Sequence, residues 1–270
     1  MKLWKLNYRL SCTFSDPIVD HHYTLRCFPK ECHTQRIVHS RFEVDPPSTY
    51  GTGQDGFGNR LLLGYINKPH DTFGMSLQAL ILKESQPEPE MRGLHRLGMY
   101  RYPSALTSMG DTLTAFYKNL PGSTTQADIA DGRKGADRER VRELMAALFA
   151  VFTYESGSTH FATTAEEAFA QGKGVCQDYA HILLALCRAE GMTARYAAGT
   201  IPGEGETHAW IEVLIDGCWQ GFDPTNNKET DEEYILFAVG RDAFDCGLNR
   251  GVFRGGYETG QTVHVIMEGF

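Results

Sequence analysis

The chain has 270 residues, of which 41% are hydrophobic and 22% charged, and its formal net charge is -8 at pH 7. This composition is ordinary for a globular protein, and the length suits one large domain or two modest ones. Because nucleic acids and anionic membranes are themselves negative, the acidic balance argues against both as the main partner.

The N-terminus and the cysteines indicate a compartment. Residues 1–12 lack the continuous apolar stretch of a signal peptide, and no apolar run has the length of a membrane span. Seven cysteines at irregular spacing predict free thiols rather than a disulfide framework. We therefore expect a cytoplasmic protein. We expect no metal site, because Cys27, Cys32 and His33 lack a second ligand pair at zinc spacing, and we also expect no cofactor.

Residues 1 to about 82 predict antiparallel strands with no helix between them, which is typical of a small β-sandwich. The run KLNYRLSCTF places four apolar side chains on one strand face: Leu6, Tyr8, Leu10 and Cys12. The run DGFGNRLLLGYI predicts a hairpin. We assign a β-sandwich domain to residues 1–105 and a polar connecting segment to residues 106–135.

From residue 136 to residue 270 the pattern predicts helices first and strands afterwards. DRERVRELMAALFAV has apolar residues at helical spacing, and TTAEEAFAQG begins with a capping box from Thr164 to Glu167. VCQDYAHILLALCRAEG carries an apolar stripe and ends at a glycine. This order predicts an α+β fold in which the helices pack on an antiparallel sheet.

Cys176 stands in the first turn of the third predicted helix, in the run GKGVCQDYAHILLALC. Backbone N–H groups there have no intrahelical partner, and the helix dipole places partial positive charge at that end. Both effects favour a thiolate, which is the nucleophilic form of cysteine. Cys187 falls beside the apolar stripe and is interpreted as a core residue. His181 is five residues along the helix, on a different face, so the base must come from elsewhere.

The run THAWIEVLIDGCWQGFDPTNN supplies a base and its orienter. Asp216-Gly217 is a two-residue hairpin signal, which pairs Ile215 with Cys218 and places His208 and Asp223 as diagonal neighbours on one face. A carboxylate on one ring nitrogen of a histidine sets its tautomer and stabilises its imidazolium.

Cys176, His208 and Asp223 therefore form a candidate Cys-His-Asp triad. The backbone N–H of Cys176 is one expected oxyanion donor, and Gln171 and Tyr154 are candidates for the second. We interpret Asp178 as a stabiliser of the first helical turn. The expected substrate cleft includes five further residues: Gly174, Gln177, Glu204, Glu206 and Trp210.

Four blocks of this region resemble the bacterial transglutaminase-like superfamily, whose members are often described as cysteine proteases. The blocks are GVCQD at 174–178, ARY at 194–196, THAWIEV at 207–213 and FDPTN at 222–226. The resemblance is close over residues 150–240 and extends to AVGRD and RGVFRGG. The N-terminal strands resemble the β-rich domain that commonly precedes this core.

The resemblance implies a papain-like core and a Cys-His-Asp triad at the same three residues. The sequence differs from the animal transglutaminases at Gln177, where those enzymes have tryptophan. It also shows no acidic loop with a calcium-ligand pattern. Calcium-dependent crosslinking is therefore not implied.

The expected enzyme acts on amide bonds through a thioester, with water as acceptor in a peptidase or amidase and an amine as acceptor in an acyltransferase. A non-catalytic binding module is a further alternative. The expected partner is a peptide or other amide-bearing substrate, and the sequence leaves the oligomeric state open.

Overall fold

A computed structural model describes residues 1–90, 97–123 and 137–270. The first sheet is built on β1, which covers Lys2–Leu25. Four further strands follow it in the N-terminal part: β2 (Gln35–Asp45), β3 (Thr49–Gln54), β4 (Arg60–Ile66) and β5 (His70–Lys83). The predicted alternation on β1 is confirmed, since Leu6, Tyr8, Leu10 and Cys12 are buried and the residues between them are more exposed.

Two C-terminal strands, β15 (Asn249–Arg254) and β16 (Glu258–Gly269), also belong to this sheet. The first half of β1 pairs with β5 and β16, and its second half pairs with β4 and β15. Thus β1 runs through both parts of one curled antiparallel sheet. The β-sandwich predicted for residues 1–105 stays a prediction. The prediction grouped these last two strands with residues 136–270, whereas their hydrogen bonds join them to the N-terminal strands.

Four α-helices lie in the described part of the chain: α1 (Asp111–Asn119), α2 (Arg138–Val151), α3 (Ala165–Gln171) and α4 (Cys176–Ala189). Two short 3-10 helices, Gly98–Tyr100 and Ala105–Thr107, precede them. The predicted capping box of α3 is present, with the Thr164 side chain accepting from the Glu167 N–H. Val151, expected on the apolar stripe of α2, is exposed at the end of that helix. Residues 124–135 of the predicted connecting segment lie outside the described residues.

The second sheet contains β9 (Ala194–Thr200), β11 (His208–Ile215), β12 (Cys218–Asp223) and β14 (Ile235–Gly240), all antiparallel. Four strands in the described ranges have only two residues each. β6 (Glu88–Pro89) and β13 (Lys228–Glu229) pair with β12, and β7 (Thr153–Tyr154) pairs in parallel with β8 (Lys173–Gly174). The short strand β10 (Gly203–Gly205) joins the first sheet through β16.

Helix α4 lies at the centre of the second half of the molecule. Its residues from Asp178 to Arg188 are buried, and it packs on the face of β9 and β11 that carries Ala209, Ile211 and Val213. Burial of so much apolar surface positions the start of α4 firmly against the start of β11. Among the residues that the structure describes, no helix is long and apolar enough to cross a membrane.

Candidate active site

The start of α4 is held by Asp178. Its Oδ2 accepts hydrogen bonds from the Val175 N–H at 2.8 Å and from the Thr159 hydroxyl at 2.6 Å. Burial raises the pKa of this carboxyl, although these bonds oppose the shift. A Cβ at Gly174 would lie 2.5 Å from the same oxygen, so glycine is needed for Asp178 to fold back over the turn. These contacts fix the backbone immediately before Cys176.

The β11–β12 hairpin has the register that its turn predicts. Asp216 and Gly217 have φ angles of 50° and 77°, the left-handed values of a type I′ turn. Ile215 pairs with Cys218 and Ile211 pairs with Phe222, as in the predicted arrangement.

This register brings the start of β11 beside the end of β12. His208 Nε2 lies 2.8 Å from Asp223 Oδ2. Burial alone would lower the pKa of His208, but hydrogen bonds and charges from Asp223 and Cys176 outweigh it and raise the pKa to about 10. Since Nε2 is occupied by Asp223, Nδ1 is the ring nitrogen left for the Cys176 sulfur. An imidazolium therefore faces the Cys176 sulfur at neutral pH.

Asp223 is completely buried and receives five hydrogen bonds. On Oδ2, besides His208, the Asn226 amide donates at 2.7 Å and the Tyr234 hydroxyl at 2.6 Å. The backbone N–H groups of Thr225 and Asn226 donate to Oδ1. Burial would raise the pKa of Asp223, but these donors and the His208 charge lower it.

Sequence reasoning missed the roles of Asn226 and Tyr234. Asn226 had a signal, because it stands three residues after Asp223 in FDPTNN, at a spacing typical of side chains that close a turn. Tyr234 had none, since it reaches Asp223 only through the packing of β14 beside β9.

The Cys176 and His208 side chains line one cleft of about 790 Å³. It lies between the second sheet and the strands β1 and β16, and it also contains Tyr154, Gln177, Glu204 and Glu206. The structure thus brings together six of the ten residues named from the sequence.

The other four residues named from the sequence do not line the cleft. Gln171 is exposed at the last position of α3. Trp210 is 1% exposed and packs against the rings of Tyr234 and His208, so almost none of it is open to a substrate. Gly174 is buried and shapes the turn rather than the cleft. Asp223 is buried and contacts His208 without lining the cleft.

The other cleft residues differ in their surroundings. The Gln177 amide donates to the Phe161 carbonyl at 3.1 Å. Tyr154 is 54% exposed at the rim, and burial together with the charges of Cys176 and Glu206 raises its pKa. Glu204 accepts from His264 at 2.8 Å, whereas Glu206 pairs with no residue that the structure describes.

Cys187 and His181 belong to the interior. Burial raises the pKa of Cys187 to about 12, so its thiol is inert at neutral pH. Burial lowers the pKa of His181 to about 3, and its Nε2 accepts from the Ala243 N–H at 3.2 Å. Both observations agree with the interpretation from the sequence that neither residue is the nucleophile or its base. Within the described ranges, no group of three or more His, Cys, Asp or Glu side chains is placed to hold a metal ion.

Comparison with known families gives two matches. Residues 124–224 match the model of the transglutaminase-like superfamily core, and residues 4–81 match that of the bacterial transglutaminase-like N-terminal region.

Individual relatives span nearly the whole chain. An uncharacterized protein of Mycobacterium tuberculosis is 30% identical over 276 residues, which cover 92% of this chain and 87% of that protein. An uncharacterized protein of Mycobacterium leprae is 24% identical over 278 residues, or 94% of each chain. A crystal structure described as a putative cysteine protease from Cytophaga hutchinsonii has a TM-score of 0.76 at 21% identity, covering 98% of this chain and 90% of that one. This last likeness concerns the fold.

Proposed function

The chain belongs to the transglutaminase-like superfamily, and from this premise we propose that it is a peptidase or amidase with Cys176 as nucleophile, His208 as acid and base, and Asp223 as orienter. The observation that carries the proposal is the His208–Asp223 contact of 2.8 Å. The same histidine also interacts with Cys176, and both residues line an open cleft.

The proposed reaction starts from a Cys176 thiolate and a His208 imidazolium. The Cys176 thiolate attacks the carbonyl carbon of an amide, and the carbonyl electron pair moves onto oxygen. When this oxyanion collapses, the carbon–nitrogen bond breaks and the His208 imidazolium gives its proton to the leaving amine. The product is a thioester on Cys176. Neutral His208 then takes a proton from water, which attacks the thioester carbon. The second oxyanion collapses with breakage of the carbon–sulfur bond, so the acid leaves, the sulfur is released as thiolate and His208 keeps the proton as imidazolium.

Asp223 acts through His208 in this scheme. Its carboxylate keeps a proton on Nε2, so that Nδ1 is the nitrogen that exchanges a proton with the sulfur and the leaving group. Because five donors saturate the carboxylate, it stays ionised and aligned throughout the cycle.

A second candidate function is acyl transfer to an amine. It is favoured by Glu206, an exposed carboxylate in the cleft that none of the described residues neutralises. A negative group near the thioester would attract an ammonium acceptor. Water needs no dedicated pocket, however, and this is why hydrolysis is the first proposal.

Alkylation at acidic pH tests the thiolate–imidazolium pair. A free thiol with a pKa of about 8.5 is only about 0.3% ionised at about pH 6. We expect iodoacetamide to modify Cys176 at least about tenfold faster than Cys218 of the same molecule at this pH, as measured by peptide mass spectrometry. The Cys218 thiol is partly exposed, so it serves as the internal control. Equal rates at the two cysteines would contradict the pair, and His208→Ala should remove the difference.

The two candidate reactions are separated by their products. Incubation with a peptide library, with and without a labelled primary amine, should give shortened peptides and little label if water is the acceptor. Extensive incorporation of the label, reduced in Glu206→Gln, would identify the transferase instead. The Cys176→Ala protein is the control for both products. A non-catalytic module would give neither product above that control.

A further inference from the structure

Tyr196 is a buried phenol at the wall of the cleft. It lies on β9 opposite Ile211 of β11, and its ring packs 5.3 Å from the ring of His181. Only 4% of the residue is exposed, yet its side chain lines the cleft together with Cys176 and His208. The small exposed part of Tyr196 therefore faces the place where a substrate would bind.

The Tyr196 hydroxyl has no partner within the protein as described. None of the residues in the ranges 1–90, 97–123 and 137–270 forms a hydrogen bond with it. The hydroxyl oxygen is also not completely buried, since it is not among the fully buried polar atoms that lack a partner. Buried tyrosine hydroxyls are normally hydrogen-bonded. A partner for this one must come from the contents of the cleft, namely water or substrate.

The charges around Tyr196 suit a donor to an anion. Burial raises the pKa of its hydroxyl well above the usual value, so it keeps its proton. Among the neighbouring charges that add to this shift, Cys176 acts most strongly, ahead of Cys246 and Asp178. The charged group that acts most strongly on the pKa of this hydroxyl is therefore the sulfur to which an acyl group would become attached.

We propose that the Tyr196 hydroxyl donates a hydrogen bond to the oxyanion that forms when Cys176 attacks a carbonyl carbon, with the Cys176 N–H as the other donor. This inference rests on the proposed function. The N–H of a residue in the first helical turn lacks an intrahelical acceptor, so it is free to donate. In the step concerned, the carbon–sulfur bond forms as the carbonyl π electrons move to oxygen, and the two donors stabilise that charge until the leaving group departs with the His208 proton.

The two donors considered from the sequence fit this role less well. Gln171 does not line the cleft. Tyr154 does, but it is 54% exposed at the rim, where water screens its interaction with a developing charge. Tyr196 is held rigidly by a buried strand, which is what a preorganised donor requires.

The test compares two reactions of the same sulfur. Acylation by p-nitrophenyl acetate passes through an oxyanion, whereas alkylation by iodoacetamide does not. In Tyr196→Phe we expect the acylation rate to fall about 10²-fold and the alkylation rate to stay within about twofold of the wild type. Because the hydroxyl has no partner in the protein, the variant should melt at nearly the wild-type temperature, and this is checked by circular dichroism.

Tyr23→Phe is the matched control, because it removes the hydroxyl of another buried tyrosine, on β1 and outside the cleft, and both its rates should stay close to those of the wild type. Equal slowing of acylation and alkylation in Tyr196→Phe would assign the residue to positioning the thiol and overturn the proposal. Faster alkylation would mean that the hydroxyl binds the resting sulfur, and unchanged rates would mean that it is inert; each result also overturns the proposal. If Cys176→Ala is acylated as fast as the wild type, or if the wild type is not acylated, the proposed function itself fails.

Discussion

Replacing Cys176 with alanine is expected to abolish amide cleavage, with a loss in kcat of about 10⁴-fold or more. The reason is that no other thiol in the described part of the chain has the same setting. Cys187 is buried inside the protein, and Cys246, which also lines the cleft, is buried with a pKa raised well above the usual value. Cleavage of a peptide identified from the library is the measurement.

The matched control is Cys218→Ser, which removes a partly exposed thiol at the start of β12 and should retain full activity. Cys176→Ala should also lower the pKa of His208 from about 10, because the sulfur contributes to raising it. NMR titration of the imidazole measures this shift. Activity that survives in Cys176→Ala would refute the proposed nucleophile, whatever the His208 pKa.

Asp223→Asn is expected to lower kcat by up to about 10⁴-fold while leaving the thiol in place. An asparagine can offer only one oxygen to the five donors that now surround the carboxylate. If its amide faces His208, Nε2 must accept a hydrogen bond, and the ring proton moves to Nδ1. The histidine then carries the wrong tautomer for taking a proton from the sulfur or from water.

The same substitution has consequences for pH dependence and stability. Because the folded-state pKa of His208 is raised to about 10, the stability that its partners contribute is full below about pH 6.5 and is lost as the pH rises through about 10. Asp223→Asn removes the carboxylate charge, so this dependence should flatten. The unpaired buried donors should also cost about 2 to 5 kcal/mol of unfolding free energy. Urea unfolding at several pH values measures both effects.

Glu212→Gln is the matched control for Asp223→Asn. Glu212 is a nearly buried carboxylate on β11 that pairs with Arg195 at 2.6 Å. Its replacement breaks a buried ion pair on the same strand as His208 and should destabilise the fold without changing kcat. If the two variants lose activity to the same extent, the effect of Asp223 would be one of stability rather than of orienting His208.

Local rules account for the parts of the fold and site that were predictable. The faces of β1 follow from alternation with period two, and the capping box of α3 follows from the spacing of Thr164 and Glu167. Contacts between distant segments were not predictable. The pairing of β16 with β1 joins strands from opposite ends of the sequence. No local sequence pattern predicts with which strand such a distant segment will pair.

The sequence by itself determined the pairing of His208 with Asp223, because a two-residue turn at Asp216-Gly217 sets the register of every residue that follows. It also determined that Cys176 begins a helix and that Cys187, on the same helix, is buried in the core. Only the tertiary structure decided that Tyr196 faces the cleft, that Tyr234 binds Asp223, and that Gln171 and Trp210 do not reach the substrate space. Those outcomes depend on the angle and distance at which α4 and the second sheet pack together, which are set by the fit of the whole core rather than by spacing along the chain.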